Sequence, residues 1–411
     1  MRDGTRLPFD DLETRSAGRR AEDLARDLPA AIARAQTAPA LAATLAGVDP
    51  ATITDLAALA RLPLVRKSDL TAAQRAHPPF GGYLPAAGAH EHVFQSPGPI
   101  YEIGRTTPDW WRMGRFLHAA GVGRGDLVQN CFGYHLTPAG MIFESGARAV
   151  GAAVLPAGTG QTELQVRAAA DLGSTVYAGT PDYLKVILDK ADEQGEALRI
   201  TRAVVGGGAL FPSLRQHYAD RGILCLQCYA TADLGNIAYE SPAMEGMIVD
   251  EGVVVEIVRP GTGDPVPDGE VGEVVVTTMN PDYPLVRFAT GDLSAILPGI
   301  SPCGRTNRRI RGWLGRADQA TKIKGMFVRP EQVAQLVARH PEVARARVIA
   351  DREAEMDSLT VQLETRAANP AIYEGSVIEV LKMRGRVELV PPGSLPNDGK
   401  VIEDRRRYDQ A

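Results

Sequence analysis

DLVQNCFGYHLTPAGMIFESGARAVGAAVLP, residues 126–156, opens on a short apolar run at Asp126–Phe132 and passes through a Gly/Pro-containing turn. Helical periodicity follows over Gly140–Val150, and a second apolar run, Ala152–Pro156, closes the stretch. Runs of this length bounded by turn residues read as buried strands, and the segment between them as a helix. The alternation continues downstream: Glu163–Asp171 as helix, Thr175–Gly179 as strand, Pro181–Gln194 as helix and Ile200–Val205 as strand. Upstream, helical periodicity fits Asp109–Ala120. Strand and helix taking turns is the signature of βαβ units and a parallel sheet, which makes the fold class α/β.

The flanks differ. Residues 1–75 read as a helical segment of the large N-terminal domain, with Ala/Leu/Arg-rich stretches at Thr14–Leu45 and Ile53–Ala60 interrupted at Pro29 and Pro50. Residues 76–104 are Gly/Pro-rich and predict loops and short strands. After Tyr229 come short strand candidates at Met247–Asp250, Val253–Val258, Gly272–Thr278, Leu285–Phe288 and Leu293–Leu297, separated by turns such as Pro267-Asp268-Gly269. They predict an antiparallel β subdomain over about 240–315, completing a core of 76–315. From 316 to 411 the pattern is that of a small α+β domain, with a helix at Pro330–His340, strands at Ala344–Ala350 and Ser358–Leu363, and helix around Val377–Leu381.

A chain of 411 residues is too long for one core. The net charge of −5 implies no broad basic surface, so nucleic acid is not an expected partner. The short basic runs Arg305–Arg311 and Arg405–Arg407 read as solvated faces. No segment approaches the roughly 20 apolar residues that span a bilayer, and the charged N-terminus lacks the apolar run of a secretory signal. Four cysteines make no disulfide framework in a chain of this size, so a cytoplasmic, reduced setting is expected. Cys225 and Cys228 form a CxxC, but their apolar neighbours read as a buried strand that would put the two on opposite faces.

The chemistry concentrates in three places: Phe288-Ala289-Thr290-Gly291-Asp292, then Gly315-Arg316-Ala317-Asp318-Gln319-Ala320-Thr321-Lys322-Ile323-Lys324-Gly325, and far downstream Asn397-Asp398-Gly399-Lys400. Taken singly, Asp292 reads as a turn residue and Lys400 as a solvated lysine. In this order and at these separations they resemble the core motifs of the adenylate-forming superfamily. That resemblance implies ATP, Mg2+ and CoA as cofactors and substrates. A carboxylate is a poor electrophile; attaching it to the α-phosphate of ATP activates it, and a positioned lysine neutralises the charge that gathers on phosphorus oxygens. By resemblance Lys400 is that lysine, on a C-terminal lid. Asp292 matches the carboxylate that accepts the ribose hydroxyls, Arg316 the guanidinium near ribose and phosphates, Asp318 the hinge, and Lys324-Gly325 the CoA side.

Within the superfamily, roughly residues 60–411 resemble phenylacetate–CoA ligases. The matching segments are Leu62–Leu70 (LPLVRKSDL), Gly158–Glu163 with Gln165, Gly179–Tyr183 and Ser301–Thr306. Tyr229-Ala230-Thr231-Ala232-Asp233 falls where the family's YG-x-SE motif lies. This implies Tyr229 stacked on adenine with Ala230 and Thr231 beside it, and Asp233 at the magnesium of MgATP. Gly207 and Gly208 belong to a Gly run that fits either backbone packing against a base or a tight strand–helix turn. Phe132 and Tyr134 would be flat walls for an aromatic acid. His135 is either catalytic, orienting the carboxylate or assisting adenylation, or structural.

The phosphate-cradling loop, by resemblance, falls near residues 94–102, with Ser96 and Gly98 its remnants. Pro97 and Pro99 each remove an N–H donor, no lysine follows, and Glu102 brings a charge of the wrong sign if it faces phosphate. Two or three lost charge-assisted bonds at roughly 1.5–3 kcal/mol each weaken triphosphate binding. The stretch Tyr239–Val249 has neither Cys nor His, so no structural zinc site is expected. The resemblance implies an AMP-forming ligase for an aromatic or arylacetic acid, with a homodimer as the open possibility for assembly. Two alternatives stand beside it. One is a ligase-shaped acyl transferase, or binder of acyl-CoA or a carrier, that uses no ATP; the other is an adenylyltransferase acting on a non-carboxylate cofactor.

Overall fold

The computed structural model describes residues 8–85, 90–317, 321–323, 326–353, 356–396 and 400–406. Residues 126–156 fold as strand Leu127–Asn130, helix Ala139–Ala149 and strand Ala153–Leu155. The helix buries Ile142, Phe143, Gly146 and Ala147. Gly146 has no alternative: a Cβ there would lie 2.4 Å from the Cβ of Met113, so glycine is what lets the neighbouring chain pack onto the helix.

The expected alternation is borne out. Helices Thr162–Leu172 and Pro181–Gln194 alternate with strands Val176–Gly179 and Arg202–Val205. Ala153–Leu155, Leu127–Asn130, Val176–Gly179, Arg202–Val205 and Leu224–Thr231 lie side by side in parallel. The inner strands are buried on both faces, as a parallel sheet requires, while the edge strand Ala153–Leu155 is partly exposed; Val128, Val176, Val204 and Leu226 sit in the core with Phe116 and Leu117. At Leu224–Thr231 the sheet changes sense and continues antiparallel through Gly235–Tyr239, Met247–Val249 and Arg309–Ile310. Cys225 and Cys228 lie in strand Leu224–Thr231, and all four cysteines are buried and free.

The chain divides into two compact units. One comprises Met1–Val255, Val276–Phe288 and Leu297–Trp313; the other Glu256–Val275, Ala289–Ile296 and Leu314–Ala411. In the second, Arg345–Glu353 and Met356–Glu364 form an antiparallel pair, flanked in parallel by Ile402–Asp404 and Arg386–Val390. Helices Pro330–Ala338 and Ala371–Leu381 cover it, with Val348, Val361, Leu363, Tyr373 and Val377 in the core. Among the described residues no helix is long and apolar enough to cross a membrane.

Four expectations need correction. The helix expected at Asp109–Ala120 is confined to Gly114–Ala119. Asp109 sits at φ +51° and turns its carboxylate onto the Gly114 amide at 2.9 and 3.0 Å, so it caps the helix instead of joining it. Conversely, Pro29 does not interrupt its helix, which runs over Ala17–Ala35. Burial of Leu28, Ile32 and Ala35 outweighs the one hydrogen bond that proline forfeits. The strand expected at Leu285–Phe288 instead begins at Phe288 and runs to Ser294, with Thr290-Gly291-Asp292 inside it, and Ile296–Leu297 follows as a separate short strand within the stretch expected at Leu293–Leu297. Thr290 explains this, since its hydroxyl is buried and donates to the Val274 carbonyl at 3.1 Å.

The fourth correction concerns the arginine runs, which are not wholly solvated. Arg305 is 1% exposed and its Nε lies 2.5 Å from Glu13 Oε1, whose carboxylate also accepts from the Tyr239 hydroxyl. Arg309 turns inward to the Pro298 and Glu245 carbonyls, and Arg406 to Asp404 and Asp357. Removing one partner of a fully buried pair strands the other's charge. Glu13→Ala is therefore expected to cost about 3–5 kcal/mol, read as a lower urea midpoint; a midpoint within error of the parent would contradict the assignment.

Candidate functional site

Parallel strands deliver their following loops to one end of a sheet, and four loops meet there in this chain. After Leu127–Asn130 the Asn130 side chain organises the turn: its Nδ2 donates to the Tyr134 hydroxyl and the Gly140 carbonyl, each at 2.8 Å, and its Oδ1 accepts from the Phe132 amide. Phe132 stacks on Phe143 with centroids 4.3 Å apart. Burial, then Glu144, push the Tyr134 phenol well above its ordinary range. His135 is exposed.

After Arg202–Val205 comes the Gly run. A Cβ on Gly206 would lie 3.0 Å from Cys228 Sγ, one on Gly207 (φ +69°) 3.8 Å from the Phe132 ring, and one on Gly208 3.4 Å from Pro181. The run thus meets both the Phe132 turn and the loop after Val176–Gly179, and any bulk at Gly206 would meet the Cys228 thiol. Tyr229, Ala230 and Thr231 end strand Leu224–Thr231, whose register shifts between Tyr229 and Ala230. Thr231 Oγ1 then accepts from the Leu234 amide, which closes the turn that carries Asp233.

Asp233 does not stand alone. Lys67, the first residue of helix Lys67–Ala76, places Nζ 2.5 Å from Asp233 Oδ2, while Asp233 Oδ1 is buried with no hydrogen-bond partner among the described residues. The stretch expected as a phosphate loop is a hairpin of His92–Ser96 and Ile100–Gly104, with Ser96 opposite Ile100 and Pro97-Gly98-Pro99 as its turn. Glu102 does not present a negative charge to solvent. It is fully buried, it accepts from the Ser96 hydroxyl, and burial followed by repulsion from Asp233 pushes its carboxyl up to about 8. Near neutral pH it holds its proton.

In the other unit, Asp292 and Arg316 come together. They form an isolated antiparallel bridge, and Arg316 Nη1 lies 3.0 Å from Asp292 Oδ1. Backbone bonds on either side, Leu293 N to Gly315 O at 2.9 Å and Ala317 N to Gly291 O at 2.7 Å, clamp the two motifs in register. Lys400 is exposed and lines a cavity of about 320 Å³ with Arg259, Asp264, Glu270, Arg345 and Arg347; neither Asp292 nor Arg316 lines it. Asp318, Lys324 and Gly325 lie outside the described residues. Sequence reasoning missed the Lys67–Asp233 pair because its members are 166 residues apart; the signal available was Lys67 within LPLVRKSDL.

Comparison with known proteins gives a consistent picture. No family model matches the chain. It is 31% identical over 391 residues to the phenylacetate-coenzyme A ligase of Thermus thermophilus, covering 85% of this chain and 87% of that protein. It is also 31% identical over 349 residues to the Pseudomonas putida enzyme of the same name, covering 80% and 77%. Among solved structures, 2-hydroxyisobutyryl-CoA ligase in the postadenylation state with R3-HIB-AMP superimposes with a TM-score of 0.71 at 24% identity, covering 98% of this chain and 95% of that one. An open conformation of the same ligase with 2-HIB-AMP and CoA also gives 0.71. The structural likeness shows the fold: a mixed α/β N-terminal domain with a smaller C-terminal domain.

The state of Glu102 has a measurable consequence. Its folded-state value of about 8 lies above the ordinary 4.5, so between these the unfolded chain ionises while the native one keeps its proton. Stability attached to this group is therefore full below about pH 4.5 and lost as pH rises through 8. Glu102→Gln keeps a neutral partner for Ser96 at every pH. It is expected to exceed the parent in stability by on the order of 2 kcal/mol at pH 8.5 and to lose that lead near pH 5. Parallel melting curves for the two proteins across this range would contradict the assignment.

Proposed function

The chain belongs to the phenylacetate–CoA ligase family, whose members are AMP-forming acid–CoA ligases, and on that premise we propose that it activates an aromatic or arylacetic acid. In the first half-reaction a carboxylate oxygen attacks the α-phosphorus of MgATP, the bond to the bridging oxygen breaks, and pyrophosphate leaves with its electron pair. In the second the CoA sulfur attacks the acyl carbon, AMP departs, and the thiol proton is released to solvent. The observation that carries this reading is the clamped Asp292–Arg316 pair, which sets a carboxylate acceptor and a guanidinium donor side by side.

The roles follow from chemistry. Asp292 accepts from the ribose hydroxyls, and Arg316 reaches ribose and phosphate with the rigid donor fork that suits both. Tyr229 offers its ring to adenine, with Ala230 and Thr231 continuing that wall and the Gly207-Gly208 backbone lying flat against the base. Asp233 has an oxygen without a partner among the described residues for the magnesium that arrives with ATP. Phe132 and Tyr134 wall the acyl group, and His135 orients the carboxylate. Lys400 neutralises charge on the α-phosphate during adenylation, Asp318 is the hinge of the lid, and Lys324-Gly325 serve the CoA side. The modest net charge of −5 supports small-molecule partners over nucleic acid, and four free buried thiols support a cytoplasmic setting.

Acid-dependent ATP–pyrophosphate exchange tests the proposal, with phenylacetate first in a panel of acids. Lys400→Ala is expected to reduce exchange by about 100-fold or more. Thioester formation from chemically prepared phenylacetyl-adenylate should largely survive in that variant. Folded parent protein that exchanges with no acid, or a Lys400→Ala variant with parental exchange, would contradict it.

A further inference from the structure

The hairpin turn that faces the nucleotide side in this reading has little to offer a triphosphate. Pro97 and Pro99 lack N–H donors, the turn carries no cation, and Ser96 is committed to Glu102. A tightly bound triphosphate still requires positive charge nearby.

The wall beside the hairpin holds one. Lys67, Asp233, Glu102 and Ser96 form a single cluster: Lys67 bonds Asp233, Glu102 bonds Ser96, and Glu102 feels both the Asp233 carboxylate and the Lys67 ammonium. Tyr283 is buried against the same two acids, with Tyr83 near it. Exposure orders the cluster. The Asp233 side chain is 0% exposed and Glu102 is fully buried, whereas the Lys67 side chain is 26% exposed. An incoming anion therefore meets the ammonium first, with the acids behind it. Helix Lys67–Ala76 anchors the lysine at its first residue, and the bond to Asp233 fixes the direction of the side chain.

We infer that Lys67 is the residue that grips the triphosphate of MgATP, replacing the donors that the proline-containing turn cannot supply. This rests on the ligase reading above. An ammonium has three donors, so one N–H stays on Asp233 Oδ2 while the others reach phosphate oxygens. Asp233 keeps Oδ1, which has no partner among the described residues, for the magnesium. The pair Lys67⁺/Asp233⁻ thus faces the complementary pair of phosphate and magnesium, and neither charge is left buried without a counter-charge when the nucleotide departs.

The test uses the full-length protein and three readouts: KM for MgATP, KM for the acid in pyrophosphate exchange, and thioester formation from chemically prepared acyl-adenylate. Lys67→Met is expected to raise the MgATP KM about 10- to 100-fold, leaving the other two within about twofold; Lys67→Arg should recover most of the loss. A folded Lys67→Met protein with unchanged MgATP KM, or one that loses both half-reactions equally, overturns the inference. If Lys67→Met does not fold because Asp233 is stranded, the comparison moves to the Asp233→Asn background. There a further rise in MgATP KM on adding Lys67→Met supports the role, and no change overturns it. Calorimetric titration with MgATP separates the two levels of argument. Parent protein that binds MgATP but exchanges with no acid counts against the ligase reading, while weaker MgATP binding by Lys67→Met would still support the grip.

Discussion

Parallel pairing is the constraint from which the site follows. Once Asn130 is in register with Ala178, Gly179 with Val205 and Val205 with Gln227, the residues after each strand must emerge at the same edge. Phe132, Thr180-Pro181, Gly206–Gly208 and Tyr229–Thr231 are separated by tens of residues in sequence, yet the sheet brings them to one rim. Ligands of open α/β sheets bind outside the carboxyl ends of the strands for this reason. The rim is also tightly filled: Gly206 sits against Cys228, and Gly207 faces Phe132. Small residues there are a packing requirement as well as an opening for a flat ligand.

Where a pattern is local, the sequence makes it legible. Helix Pro181–Gln194 was readable to the residue because proline starts it and Gly195 at φ +70° ends it. The buried strand around Cys225 and Cys228 was equally plain from its apolar flanks. Illegible features all depend on distant partners. Thr290-Gly291-Asp292 looks like turn chemistry until Val274 supplies an acceptor for the threonine hydroxyl. Arg305 looks solvated until Glu13, 292 residues away, lies against it. Pro29 looks like a helix break until the apolar face around it is buried.

The site divides in the same way. Asp292 and Arg316 stand out in the sequence through resemblance to the superfamily's motifs, and their pairing across the bridge is a property of the fold that the resemblance alone does not contain. Glu102 read as a hazard to phosphate because its direction is invisible in sequence; buried against Ser96 it is a protonated strut of the hairpin. Lys67 belonged to a segment valued only for its resemblance, and three-dimensional proximity to Asp233 gives it chemical meaning. The wall that looked emptied of donors is therefore not without charge.

The central claim is that this chain couples acid activation to cleavage of ATP at the α-phosphate. Product stoichiometry tests it most directly, with ATP, CoA and phenylacetate (or the best acid of a panel) and all products quantified in one reaction. The account predicts AMP, pyrophosphate and acyl-CoA in equal amounts, with no thioester when ATP is withheld. ADP as the nucleotide product, or thioester formed without ATP consumption, would contradict it.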